Sequence, residues 1–145
     1  VKRPARLAAV RRPRYVEAVG RRKTAVVRVR MWKADAGVPA GVTVNGRKLA
    51  SYFPLLRQRL TVTAPLSALG ADEKQYAVSA LARGGGLSAQ AEALCLGIAR
   101  ALITFDATSR SRLKSLGYLK RDPRMVERKK FGSRKARRPQ QWRKR

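Results

Sequence analysis

Hydrophobic and polar positions alternate with period two in several short stretches. In YVEAVG (15–20) and TAVVRVRMW (24–32), every second side chain is apolar. Val27, Val29 and Met31 fall on one side of the second stretch, and Arg28 and Arg30 on the other. That pattern predicts half-buried strands whose outer side is basic. The segment between them, GRRK (20–23), reads as the connecting loop. GVTVNGRKL (41–49) carries an Asn45-Gly46 pair, a strong signal for a tight two-residue turn. ASYFPLL (50–56) predicts a short helix or turn interrupted by Pro54. RLTVTAP (59–65) and KQYAVSALAR (74–83) alternate again and predict two more strands.

After the glycines at 84–86 the period lengthens. Ala91, Leu94, Cys95, Ile98, Ala101, Leu102 and Phe105 recur at intervals of three and four, the apolar stripe of an amphipathic helix. Ser88 suits its N-cap. SRSRLKSLG (109–117) predicts a second, shorter helix stopped by Gly117 in a left-handed conformation. The expected fold is α+β, a mainly antiparallel sheet with helices on one face. No internal repeat is visible.

Composition changes this picture at the two ends. The 145 residues carry a net charge of +27. Residues 1–30 hold eleven Lys and Arg against one Glu, a net of +10; residues 31–109 hold eight against five, +3; residues 110–145 hold sixteen against two, +14. The middle is ordinary for a folded domain, and the ends are polycations attached to it. Blocks of like charge with few large apolar groups do not bury enough surface to offset chain entropy without a partner. The expected organisation is a basic extension at 1–14, an α+β body at 15–117 and an extended basic tail at 118–145. The first residues, Arg-rich, acid-free and lacking Ser, read as a retained extension rather than an organellar leader.

Such a charge calls for a polyanion. Nucleic acid is preferred to an anionic membrane surface, because the basic ends lack the Leu and Phe of an interfacial helix. No apolar run reaches the roughly 18 residues of a membrane span. With one cysteine and no histidine, neither an internal disulfide nor a Cys/His zinc site can be assembled. The usual general base is also missing, so no enzyme, metal or cofactor is expected.

Three constellations carry candidate chemistry. Arg21, Arg22 and Lys23, with Arg28 and Arg30 on the next strand, are placed to clamp phosphates. Gly84, Gly85 and Gly86 lead into a helix start with Ser88 and Gln90. There, close backbone approach and free amides suit an RNA phosphate. A plain strand-to-helix turn explains the same residues, and a small-molecule kinase loop is a remote third reading without a P-loop. Cys95 reads as a core residue. The third constellation is the tail. Arg121, Arg124, Arg128, Lys129, Lys130, Arg134, Lys135, Arg137 and Arg138 can neutralise phosphates, and Phe131 and Trp142 can stack on unpaired bases. Asp122 and Glu127 are expected to neutralise neighbouring arginines and shape the turn before the tail. Trp32 reads as a strand-end packing residue.

Four blocks occur in order: GRRKTAVVRVR, VNGRKLASYFP, ARGGGLSAQAEALCLGIARAL and LKSLGYLKRDPRMVERKKFGSRKARRPQ…KR. Together they resemble the ninth small-subunit ribosomal protein (the S-nine family), bacterial and organellar type, from about residue 15 to the end. The resemblance implies a ribosomal protein S-five domain-two-like fold and a place in the head of the small subunit, bound to rRNA beside neighbouring head proteins. It implies that the tail threads through rRNA and that its last basic residues, Arg143, Lys144 and Arg145, reach the tRNA in the peptidyl site. No membrane and no small-molecule substrate are implied. Bacterial members end Pro-Gln-Phe-Ser-Lys-Arg, whereas here Trp142 and Arg143 stand at the Phe and Ser positions. This and the basic N-terminal extension favour a mitochondrial ribosome over a plastid or bacterial one. A free-standing RNA-binding protein, such as the protein subunit of a ribonuclease ribozyme, is the alternative.

Overall fold

The computed structural model describes residues 15–34, 40–70 and 75–144. The extension at 1–14, the first residue of the 74–83 stretch and Arg145 lie outside the described residues. Five strands, β1 (Val16–Arg22), β2 (Ala25–Lys33), β3 (Gly41–Val44), β4 (Arg47–Lys48) and β5 (Tyr76–Arg83), form one sheet in the order β1-β2-β5-β3-β4. All neighbours are antiparallel except the parallel pair β3–β5. Helices α1 (Leu49–Tyr52), α2 (Leu56–Ala68), α3 (Leu87–Phe105) and α4 (Arg110–Ser115) complete the body. The expected α+β class is what is found.

The alternation works as expected. Ala25, Val27, Val29 and Met31 of β2, with Val78, Ala80 and Ala82 of β5 and Val42 and Val44 of β3, are buried on one side of the sheet. Against them pack Leu94, Ile98 and Leu102 of α3, spaced four apart, and Val62 and Leu66 of α2. Each such side chain, fully removed from water, contributes about 1.5–3 kcal/mol. Asn45 (φ 50) and Gly46 (φ 77) form the predicted tight turn. The Asn45 side chain also accepts from the Ala82 amide (2.9 Å) and donates to the Ala82 carbonyl (3.1 Å), so it pairs with β5 as a backbone unit would.

Three expectations are corrected. The stretch 59–65 is helical, inside α2. Its Thr-Val-Thr alternation mimics a strand, but Val62 and Leu66 are one turn apart and both reach the core. The hydroxyls of Thr61 and Thr63 donate back to the carbonyls of Arg57 (2.9 Å) and Leu60 (3.4 Å), which reconciles them with the helix. Secondly, Gly20 is in β1, not in a loop. The turn is at Lys23 (φ 50) and Thr24. Thirdly, α3 is 19 residues long with a mean hydropathy of 1.2, enough by length and composition to cross a membrane, whereas the sequence reading found no such run. Sixty-seven per cent of that stretch is buried inside the protein, so its apolarity forms the core.

Helix α3 lies unusually close to the sheet. A Cβ on Gly20 would come within 1.7 Å of the Ala93 carbonyl oxygen, and one on Gly97 within 2.6 Å of Val29 Cγ2. The paired glycines let the α3 backbone rest directly on β1 and β2.

Candidate nucleic-acid interface

Strand periodicity separates the basic residues of the first constellation. Arg21 and Arg22 are consecutive within β1 and therefore point to opposite faces, so the three residues 21–23 do not act as one loop clamp. Arg21 joins Arg28 and Arg30 on the open side of the sheet. Arg22 turns to the helix side, where its side chain is only 12% exposed. It donates from Nε to Glu92 of α3, from Nη1 to the Arg124 carbonyl (2.8 Å) and pairs through Nη2 with Asp122 (2.9 Å). The predicted phosphate ligand Arg22 is instead a staple between the body and the start of the tail. The sequence reading missed Arg83, which the register places in the same row as Arg21, with Val26 between them. The alternation of β5 carried that signal.

The glycine loop is tucked under the β1–β2 turn. Gly84 (φ 71) and Gly85 (φ 65) adopt the left-handed conformation, and a Cβ on Gly84 would meet the Thr24 carbonyl at 2.6 Å. This accounts for two of the three glycines by packing alone. The N-cap of α3 is Gly86, not Ser88, and no side chain caps it. Ser88 accepts from Gln58 Nε2 (3.2 Å). Gln90 is buried; it donates to the Gly84 carbonyl (3.0 Å) and accepts from the Tyr52 hydroxyl (2.7 Å). Gln90 thus holds the loop in shape, and Ser88 ties the start of α3 to α2. The packing sets the exposed Lys23–Thr24 turn against Gly84 and Gly85, just before α3 begins.

From residue 118 to 144 the chain leaves regular structure, apart from an isolated bridge between Ser133 and Pro139. Tyr118 and Leu119 still pack against the core. Asp122 accepts from the Arg124 amide (2.9 Å) and guanidinium (2.8 Å) besides Arg22. Glu127 pairs with Arg137. Asp122 thus pairs with a neighbouring arginine, as expected from the sequence, whereas Glu127 passes over its neighbours and meets Arg137, ten residues further on. Hydrogen bonds from Arg124, then the charges of Arg124 and Arg22, hold the Asp122 carboxyl well below the usual carboxylate range. Arg124 and Arg137 enter any RNA complex from an existing ion pair. Exposed pairs of this kind contribute little and exchange readily for phosphate. Arg121, Arg128, Lys129, Lys130, Arg134, Lys135, Arg138, Arg143 and Lys144 are exposed, as are Phe131 and Trp142.

Arg22→Ala and Asp122→Asn are each expected to release the root of the tail. Amide exchange at Arg124 should accelerate while the α3 core stays protected; an unchanged Arg124 rate would refute the staple. Because the Asp122 carboxyl is depressed, its contribution is complete above about pH 4 and is lost as pH falls towards the folded value. Between pH 5 and 8 the staple should not respond to pH.

Cys95 is buried on the core side of α3. Burial, and secondarily Glu92, pushes its thiol up to about 12. Iodoacetamide at pH 8 should leave it largely unmodified until urea unfolds the chain; rapid native alkylation would contradict this burial. Among the described residues there is no cluster of three or more Cys, Asp or Glu side chains that could hold a metal.

A small α+β body stapled to an exposed cationic tail defines a class of protein, one that assembles into a structured ribonucleoprotein. The comparisons with known proteins agree. The profile of the family Ribosomal protein S9/S16 matches residues 20–145. The chain is 47% identical over 134 residues to "Small ribosomal subunit protein uS9" of Mycobacterium ulcerans, covering 91% of this chain and 84% of that one. It is 48% identical over 126 residues to the protein of that name from Treponema pallidum (87% and 94% covered), and 45% identical over 130 residues to that of Bacteroides thetaiotaomicron (90% and 98%). The chain belongs to the ribosomal protein S9/S16 family, and is a structural, non-enzymatic constituent of the small ribosomal subunit.

Proposed function

We propose that the chain is an rRNA-binding protein of the subunit head whose body, residues 15–117, moors it and whose tail, residues 118–145, runs through rRNA to the tRNA of the peptidyl site. The body corresponds to the S-five domain-two-like fold. The observation that carries this reading is the tail's composition and exposure together. It holds thirteen Lys and Arg against two acids, and both acids are already paired. Phosphates near the Lys23 turn, Gly84, Gly85, Gly86 and the amide end of α3 anchor the body. Arg121, Arg124, Arg128, Lys129, Lys130, Arg134, Lys135, Arg137 and Arg138 follow the rRNA backbone, with Phe131 and Trp142 stacked on bases. Arg143, Lys144 and Arg145 reach the tRNA. The relatives named above are bacterial, so they support bacterial cytoplasm and lend nothing to a mitochondrial location.

Removing Lys144 and Arg145 should leave subunits assembled and sedimenting normally. The affinity of tRNA for the peptidyl site should fall roughly tenfold, about 1.4 kcal/mol, with a salt dependence shallower by roughly one to two phosphate contacts. Unchanged affinity across a salt series would refute the tail's role. Co-migration of the chain with small free RNA rather than subunits would favour the free-standing alternative.

A further inference from the structure

The side of the sheet that carries no helix is neither apolar nor evenly charged. Val19 of β1, Val26 of β2 and Leu81 of β5 lie on it, the last two 41% and 38% exposed. The register sets Val19, Arg28 and Leu81 in one cross-strand row and Arg21, Val26 and Arg83 in the next. Val26 is therefore the diagonal neighbour of both Val19 and Leu81, which flank Arg28. Arg21, Arg28 and Arg83 alternate with them, and these six residues line one shallow groove. The groove continues past Arg30 and Ser79 to the Asn45–Gly46 turn. Among the described residues Glu17 is the acid that answers this charge, and it is engaged by Arg30 (3.1 Å) and approached by Arg28 (4.0 Å). Among the described residues no lysine lines the groove; Lys48 of β4 stands beyond its far end, in the row of Arg30, Ser79 and Thr43.

We infer that this face docks a segment of another protein that carries a large apolar side chain between carboxylates. The inference rests on the chain's place in the small subunit, and it assigns Arg21, Arg28 and Arg30 to carboxylates rather than to the rRNA phosphates expected from sequence. Phosphates offer no apolar group to cover Val19, Val26 and Leu81, and the rings on this side, Tyr15 and Trp32, pack on each other beyond Arg30 rather than lining the groove. An apolar centre rimmed by arginine, with lysine kept to the far end of the face, has the composition of a protein interface. A second copy of this chain does not fit, because its face would set arginine against arginine.

The test places the photo-crosslinker p-benzoylphenylalanine at Leu81 of the full chain, with Val26 as a second position should the first impair folding. Subunits carrying the chain are isolated from a sucrose gradient before irradiation, and the same crosslinker at Trp142 serves as the RNA-facing comparison. The expected product at Leu81 or Val26 survives ribonuclease and is lost with protease. Its partner peptide should hold Asp or Glu within a few residues of the crosslinked apolar side chain. A ribonuclease-sensitive adduct at these positions, or none in subunits where Trp142 crosslinks to RNA, would overturn the inference. Failure at Trp142 with success at Leu81 would instead count against the tail reading alone.

Discussion

Gly20→Ala is expected to destabilise the body by about 3 kcal/mol or more, a large part of the roughly 5–15 kcal/mol that holds a domain together. The new Cβ would be placed 1.7 Å from the Ala93 carbonyl oxygen, and 2.8 Å from the Gly97 amide nitrogen. Those atoms are backbone in the middle of α3, so no side-chain rotation relieves the overlap. Either β1 separates from α3, uncovering Val29 and Leu94, or the helix bends. Gly86→Ala is the control: its Cβ would meet nothing within 4 Å and its φ of −103° suits any residue, so a change within about 0.5 kcal/mol is expected. Urea unfolding of the two variants beside the parent checks this. Equal midpoints for Gly20→Ala and the parent would mean that the close approach of β1 to α3 does not exist in solution.

Removal of residues 125–145 should change how the chain's rRNA affinity depends on salt more than any single substitution. The deleted segment holds ten Lys and Arg and one Glu, a net of +9, while the core contacts of Tyr118 and Leu119 and the Arg22–Asp122 staple remain. Each neutralised phosphate adds roughly 0.7 to 0.9 to the slope of log affinity against log salt. If every net charge meets a phosphate, the slope falls by roughly 6 to 8, with an affinity loss of several orders of magnitude at low salt. Binding of full and truncated chains to small-subunit rRNA over a potassium chloride series measures this directly. Parallel plots would show that the body alone supplies the electrostatic attraction. The thermal midpoint of the free protein should barely move, since Phe131 and Trp142 are 98% and 93% exposed and leave no cavity.

Much of the fold was legible because its signals are local. Val27, Val29 and Met31 alternate with arginines on a strand half of which is buried. Asn45-Gly46 supplies the positive φ angles its turn needs, and the stripe from Ala91 to Leu102 marks one buried side of α3, although Ala93, Leu96 and Gly97 outside it are buried as well. The tail's character follows from charge alone. Helix α2 was misread because its short Thr-Val-Thr run alternates as a strand does, and only contact with α3 shows which period is used. Ser88 has the chemistry of a cap, yet the chain turns two residues earlier, where Gly84 must pass the Thr24 carbonyl. Arg22 is indistinguishable from Arg21 in sequence. The parity of a strand whose start was uncertain decides that one faces the open side while the other meets Glu92 and Asp122, the latter one hundred residues away.

The order of residues by itself determined where charge accumulates, which segments can bury a face and which cannot, since these depend on side-chain chemistry and a period of two or 3.6. Only the tertiary structure decided which glycines are indispensable, which arginines are already spent on carboxylates and which face of the sheet stays open. Those outcomes depend on atoms distant in the chain coming within a few ångströms, and no local pattern records that distance.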